Sequence, residues 1–141
     1  FKFLNKVLLQ PKKFKFKKQK KGKLSKINYK SNKLKFGSFG LKATNSGFIS
    51  STQLETARQA ISRKIKKSGK IWIRIYPNVP ITAKPLETRM GKGKGNMSHW
   101  ACRIFAGTIL FELDGVSENL AKSAFKTGSA KLPIKSQFVL L

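Results

Sequence analysis

The first fifty-four residues contain fifteen lysines and no acidic residue, and the segment Pro11 to Lys23 (PKKFKFKKQKKGK) carries most of that density. A core built from such a segment would concentrate like charge with nothing to balance it. The segment also lacks the apolar period of about 3.6 residues that marks a helix, so it is expected to stay extended until anions neutralise it. The imbalance runs through the whole chain, in which 31 Lys and Arg against five Asp and Glu give +26 over 141 residues. A domain has little reason to carry that repulsion unless a polyanion relieves it. Nucleic acid is the leading candidate by charge, and an anionic membrane surface is the second. No run of about eighteen apolar residues is present, so no segment is expected to span a bilayer.

A hydrophobic content of 40% in a chain of this length fills one modest core. Residues 1–32 are expected to form an extended basic N-terminal arm and residues 33–141 a single α+β domain. The sequence opens on Phe1, so its start is expected to be processed or incomplete. Its first ten residues resemble a targeting segment only loosely, since they contain neither Arg nor Ser. In the arm, Lys12, Lys13, Lys15, Lys17, Lys18, Lys20, Lys21 and Lys23 are candidate phosphate contacts. Phe14 and Phe16 between them either stack on bases or anchor the arm to the domain's own core.

Lys33 to Ala43 alternates apolar and polar residues and breaks at Gly37 and Gly40, which predicts a strand with a bulge or bend carrying Lys35 and Lys42. Thr44 to Gly47 predicts a turn. Ser50 or Ser51 opens a helix in which Thr52 and Glu55 have capping-box spacing and Leu54, Ala57, Ile61 and Ile65 share one stripe. Arg58, Arg63, Lys64, Lys66 and Lys67 occupy its other faces, and Ser68-Gly69 supplies the stop. The helix dipole accounts for one or two of these cations, but five exceed what it needs.

Lys70 to Tyr76 predicts a strand with Ile71, Ile73 and Ile75 inward. Its Trp72-Arg74-Tyr76 face is either covered by another element or presented to RNA. Three prolines make Asn78 to Thr88 a stiff connection. Ser98 to Phe105 and Thr108 to Asp114 alternate around Ala106-Gly107, which predicts a β-hairpin with Trp100, Cys102 and Ile104 beside Ile109, Phe111 and Leu113. Ser117 caps a second helix with Leu120, Ala121, Ala124 and Phe125 buried, Gly128 ends it, and a last strand runs from about Ile134 to Leu140. This order predicts a compact α+β domain with two main helices and a mixed or antiparallel sheet.

Between the proline-rich stretch and the expected hairpin lies Arg89-Met90-Gly91-Lys92-Gly93-Lys94-Gly95-Asn96. Alternating glycines bring backbone amides close to a partner, and Arg89, Lys92 and Lys94 add cationic donors, which together suit phosphate. The spacing fits neither a P-loop nor a dinucleotide fingerprint, so a polymeric phosphate partner is favoured over a nucleotide; the alternative is a solvated turn. Catalysis is poorly served. Glu55 and Glu118 stand at helix starts, and Glu112 and Asp114 share strand parity but are expected to neutralise neighbouring lysines. His99 has no triad motif around it, and Cys102 is expected to be a small buried apolar residue. Neither a metal site nor a cofactor is expected.

Leu9-Gln10-Pro11-Lys12, Phe36-Gly37-Ser38-Phe39-Gly40-Leu41-Lys42-Ala43, Gly69-Lys70-Ile71-Trp72-Ile73-Arg74 and Pro80-Ile81-Thr82, together with the 89–96 loop, Phe111-Glu112-Leu113-Asp114-Gly115-Val116 and Lys131-Leu132-Pro133-Ile134-Lys135, resemble the bacterial and organellar large-subunit ribosomal protein number sixteen family. The match runs in order from Leu9 onward. The resemblance implies a hammerhead-type α+β domain that is not an enzyme, embedded in large-subunit rRNA among neighbouring ribosomal proteins. It further implies that the arm and basic surfaces, Arg74 included, hold rRNA. The 89–96 loop would reach toward the peptidyl transferase region and help position aminoacyl-site tRNA. Arg89 falls on the family's loop arginine, which is hydroxylated in some bacterial members. The chain departs from the family pattern between Gly22 and Phe36 and at Asn45 to Ile49. Heavy use of Lys, Phe, Ile and Asn suggests an AT-rich genome and a mitochondrial ribosome, with plastid or bacterial origin as alternatives. The rival from another class is a free cationic RNA-binding or membrane-active protein.

Overall fold

The structure, a computed structural model, describes residues 9–66 and 68–141. Nine elements follow in order: β1 (Phe39–Ala43), β2 (Gly47–Ser50), α1 (Ser51–Lys64), β3 (Lys70–Ile73), β4 (Val79–Ala83), β5 (Asn96–Ile104), β6 (Ile109–Asp114), α2 (Glu118–Ser129) and β7 (Ser136–Leu140). They build two antiparallel sheets, one ordered β3-β6-β1-β7 and the other β2-β5-β4, so the α+β class holds.

The helix stripes behave as their spacing predicts, except that Leu120 is only half-buried against the core. Leu54, Ala57, Ile61 and Ile65 of the first helix region, and Ala121, Ala124 and Phe125 of α2, are all buried in one core with Leu41, Ile49, Phe111 and Leu113. Three helix details differ from expectation, the first being that Ser117 stands at the N-cap of α2 without a side-chain capping bond. The capping box is Ser50 with Gln53: the Gln53 amide donates to Ser50 Oγ at 3.2 Å and the Ser50 amide to Gln53 Oε1 at 3.0 Å. Glu55 instead accepts from Arg58 and Gln59 on the following turn. Gly128 does not end α2 but lies inside it, buried, where a Cβ would come within 2.6 Å of Ile61 Cγ1. Its missing side chain lets the two helices cross closely.

The expected hairpin around Ala106-Gly107 is overturned, because β5 and β6 lie in different sheets. The chain between them is held from outside: Gly107 N–H donates to Ala43 O at 2.8 Å, Ala43 N–H to Thr108 O at 2.8 Å, and Asn28 N–H to Ala106 O at 2.9 Å. β5 pairs with β2 on one side and on the other forms its hairpin with β4, which the prolines hid. Pro80 lies on the edge strand of the second sheet, where one missing N–H is tolerated. Residues 79–83 are therefore a strand, not a connection, and Lys84 to Gly95 form the tip of a long hairpin. Lys33 to Ser38, expected as strand, is a loop, and only Phe39–Ala43 pairs.

Candidate nucleic-acid interface

The hairpin tip is open. Arg89, Met90, Gly91, Lys92, Gly93, Lys94 and Asn96 are exposed and Gly95 is half-buried. Gly91, Lys92 and Gly93 all adopt positive φ, at 91°, 55° and 78°, so the chain turns left-handed over three residues at which glycine is favoured twice. A Cβ at Gly91 or Gly93 would meet nothing within 4 Å, whereas at Gly95 it would lie 2.4 Å from Ala83 O, where the hairpin closes. Leu86 and Met90 are almost fully exposed, at 105% and 97%. The tip therefore offers apolar as well as cationic surface.

The arm is strapped to this tip. Lys18 Nζ donates to Lys94 O at 2.8 Å, and Lys94 Nζ donates back to Gln19 O. Lys84 Nζ reaches Gly91 O from the other side. A cleft of about 420 Å3 between them is lined by Lys18, Lys84, Lys92 and Lys94 with the backbone of Gly91, Gly93 and Gly95. A cleft lined by four lysines, with no carboxylate among its lining residues, suits an anion. Further along, Arg103 Nη2 donates to Lys20 O at 3.2 Å, and Phe14 meets Trp100 edge-on at 5.1 Å. Phe14 is thus an anchor onto the domain, while Phe16 remains 57% exposed. Residues 9–38 contain no helix or strand, apart from an isolated bridge between Ile27 and Ala106.

The remaining candidates divide. Lys12, Lys13, Lys15, Lys17, Lys18, Lys20, Lys21, Lys23, Lys35, Arg63 and Lys66 are exposed and Lys42 is half-buried. Lys67 lies outside the described residues. Arg58 forms an ion pair with Glu55 at 2.6 Å, and this bond holds the Glu55 carboxyl below its usual range against the opposing effect of burial. Arg74 is turned inward to Glu112 Oε1. Cys102 is buried as expected, and burial pushes its thiol up to about 11.

Glu112 was expected to offset lysines. It does something else: it is 0% exposed and pairs with Arg74, and its carboxylate accepts the main-chain N–H groups of Lys35 at 3.2 Å, Phe36 at 2.6 Å and Gly37 at 3.0 Å. Burial alone would raise its pKa, but the three amides and the guanidinium outweigh burial and hold the carboxyl below its usual range. Trp72, Glu112 and Gly40 stand side by side across β3, β6 and β1. The 33–38 loop lies over this row. Phe36 stacks on Trp72 at 6.1 Å and 19°, and Leu34 packs where a Cβ on Gly40 would lie 2.3 Å from its Cδ2. Trp72 and Arg74 are thus covered from within the chain, whereas Tyr76 is exposed beyond the end of β3 at Ile73. A single acid inside the apolar run Ile109-Leu110-Phe111-Glu112-Leu113 was the available signal.

A basic α+β domain of this kind, with cationic surface on its arm, helix and hairpin tip, has the surface of a polyanion-binding protein. Comparison with known proteins narrows the class. The family model described as Ribosomal protein L16p/L10e matches residues 11–139. The chain is 52% identical to "Large ribosomal subunit protein uL16" of Thioalkalivibrio sulfidiphilus over 132 residues, covering 94% of this chain and 96% of that one. It is 53% identical to the protein of the same description from Halorhodospira halophila over the same coverage, and 51% identical to that of Chelativorans. The chain belongs to the ribosomal protein L16p/L10e family. These relatives are bacterial and lend no support to the mitochondrial assignment suggested by residue usage.

Proposed function

We propose that this chain is a structural constituent of the large subunit of a bacterial-type ribosome, with 1–32 as an rRNA-holding arm and 33–141 as the domain that carries the 89–96 loop. The observation that carries the proposal is the uncompensated charge. Among the described residues three ion pairs form, Glu55 with Arg58, Glu112 with Arg74 and Glu118 with Lys122, in a chain with 31 Lys and Arg. The other cations have RNA phosphate as their natural partner. Arm lysines and Arg63 and Lys66 neutralise phosphates where rRNA strands approach. The hairpin tip presents Arg89 and Lys92 to aminoacyl-site tRNA. Bond formation belongs to RNA.

Leu86 and Met90 are exposed at the tip and available to a surface that covers it. Sedimentation of the native protein tests the proposal. The chain should travel with large subunits, whereas partition to anionic lipid vesicles in the absence of RNA would favour the membrane-active alternative. The isolated protein should also bind structured RNA with a steep salt dependence that flattens when residues 1–24 are removed.

A further inference from the structure

We propose that Phe36 is a stacking site for an unpaired RNA base. The inference rests on the reading of the chain as an RNA-binding protein and adds a site to it. Phe36 is 57% exposed, yet its own amide donates to the buried Glu112 carboxylate at 2.6 Å and its neighbours' amides do the same. Gly37 is pressed so close to β6 that a Cβ would lie 2.6 Å from Leu113 O. The main chain on both sides of an outward-facing ring is therefore fixed.

The ring's surroundings suit a base. Trp72 backs it at 6.1 Å and nearly parallel, and the Arg74 guanidinium lies 5.3 Å from its centre. Lys70 sits 5.1 Å from the Trp72 ring, and Lys33 and Lys35 are exposed on the loop, ready for the phosphates that flank a stacked nucleotide. The one acid directly beneath, Glu112, is already neutralised, and the Asp114 carboxylate is engaged by Ser38 Oγ at 2.8 Å. An aromatic face held in place before binding loses less freedom when a base arrives, and every base has a face to offer. Stacking on this platform asks for an unpaired nucleotide, whereas the lysine-lined cleft at the hairpin tip asks only for phosphate.

The test uses the full chain and two probes of equal length, a short oligoadenylate and an abasic phosphodiester, with affinities measured at the same salt. Phe36→Ala should weaken oligoadenylate binding by about fivefold or more, the low end for one base–aromatic stack, and leave the abasic probe unchanged. Phe36→Tyr should bind as the parent does. Phe36→Leu, which still covers Trp72 but has no flat face, should behave like the alanine variant and so separates stacking from packing. Equal losses for both probes, no loss for either, or full binding by Phe36→Leu would overturn the proposal. Sedimentation with large subunits reads the ribosomal assignment separately, so failure of one can be told from failure of the other.

Discussion

Two cationic loops of this chain are built in opposite ways. The 33–38 loop is clamped: a buried carboxylate takes three of its amides, Leu34 fills the space over Gly40, and Phe36 lies on Trp72. The 84–95 tip is held at its base by the Gly95 approach to Ala83, and beyond that by lysine ammonium groups on main-chain carbonyls. With five acids in the chain, the position of each is informative. One is buried to fix a loop against the sheet, and none of the residues lining the lysine-rich cleft is acidic. The clamped loop can present a shape, while the tip presents charge on a backbone that glycine leaves free to adapt.

Removing the clamp should produce the largest effect. Glu112→Ala leaves Arg74 without its partner and three amides without an acceptor, so urea unfolding should show a loss of about 3–5 kcal/mol, the range for breaking a buried ion pair. A variant as stable as the parent would mean the carboxylate is incidental. The same substitution in each loop sharpens the contrast. Gly37→Ala forces a Cβ against Leu113 O and should cost about 1–3 kcal/mol as overpacking. Gly91→Ala meets open space and should cost about 1 kcal/mol from its positive φ alone.

Acid weakens the clamp by another route. The Glu112 carboxyl titrates below its usual range when folded, so its contribution is present above the ordinary value of about 4.3 and is lost as pH falls through the folded value. Stability of the parent should therefore fall more steeply below about pH 4.3 than that of Glu112→Gln. Parallel pH curves would remove Glu112 as the acid-sensitive group. Smallest of all, Lys92→Ala should change stability by no more than about 0.5 kcal/mol, because the side chain is exposed on a turn.

Much of the fold was legible because burial repeats on helical stripes: Leu54, Ala57, Ile61 and Ile65 needed only their spacing. What failed depended on contacts distant in sequence. Leu34 and Phe36 alternate as a strand would, but they do so because one packs over Gly40 and the other over Trp72 from a loop lying across the sheet. Pro80 argued against a strand where an edge position makes it acceptable. The turn after Phe105 looked like a hairpin until Ala43 and Asn28 took its backbone groups. For the site, the exposed cations and the glycine loop were visible in the sequence. The clasp between Lys18 and Lys94, and the roles of Lys84 and Arg103, were not, since main-chain carbonyls as partners leave no compositional trace.

The most direct measurement of the proposed role uses large subunits reconstituted with Lys92→Ala/Lys94→Ala in place of the parent chain. Lys92 is free of the clasp that holds Lys94 to Gln19, so each single variant accompanies the pair to separate charge from positioning. The account predicts normal incorporation into subunits and slower aminoacyl-site tRNA binding, with a loss of up to a few kcal/mol at about 1.5–3 kcal/mol per charge-assisted contact. Subunits that assemble normally and accommodate tRNA at the parental rate would show that the tip is a solvated turn, and would contradict the assignment of its charge to tRNA.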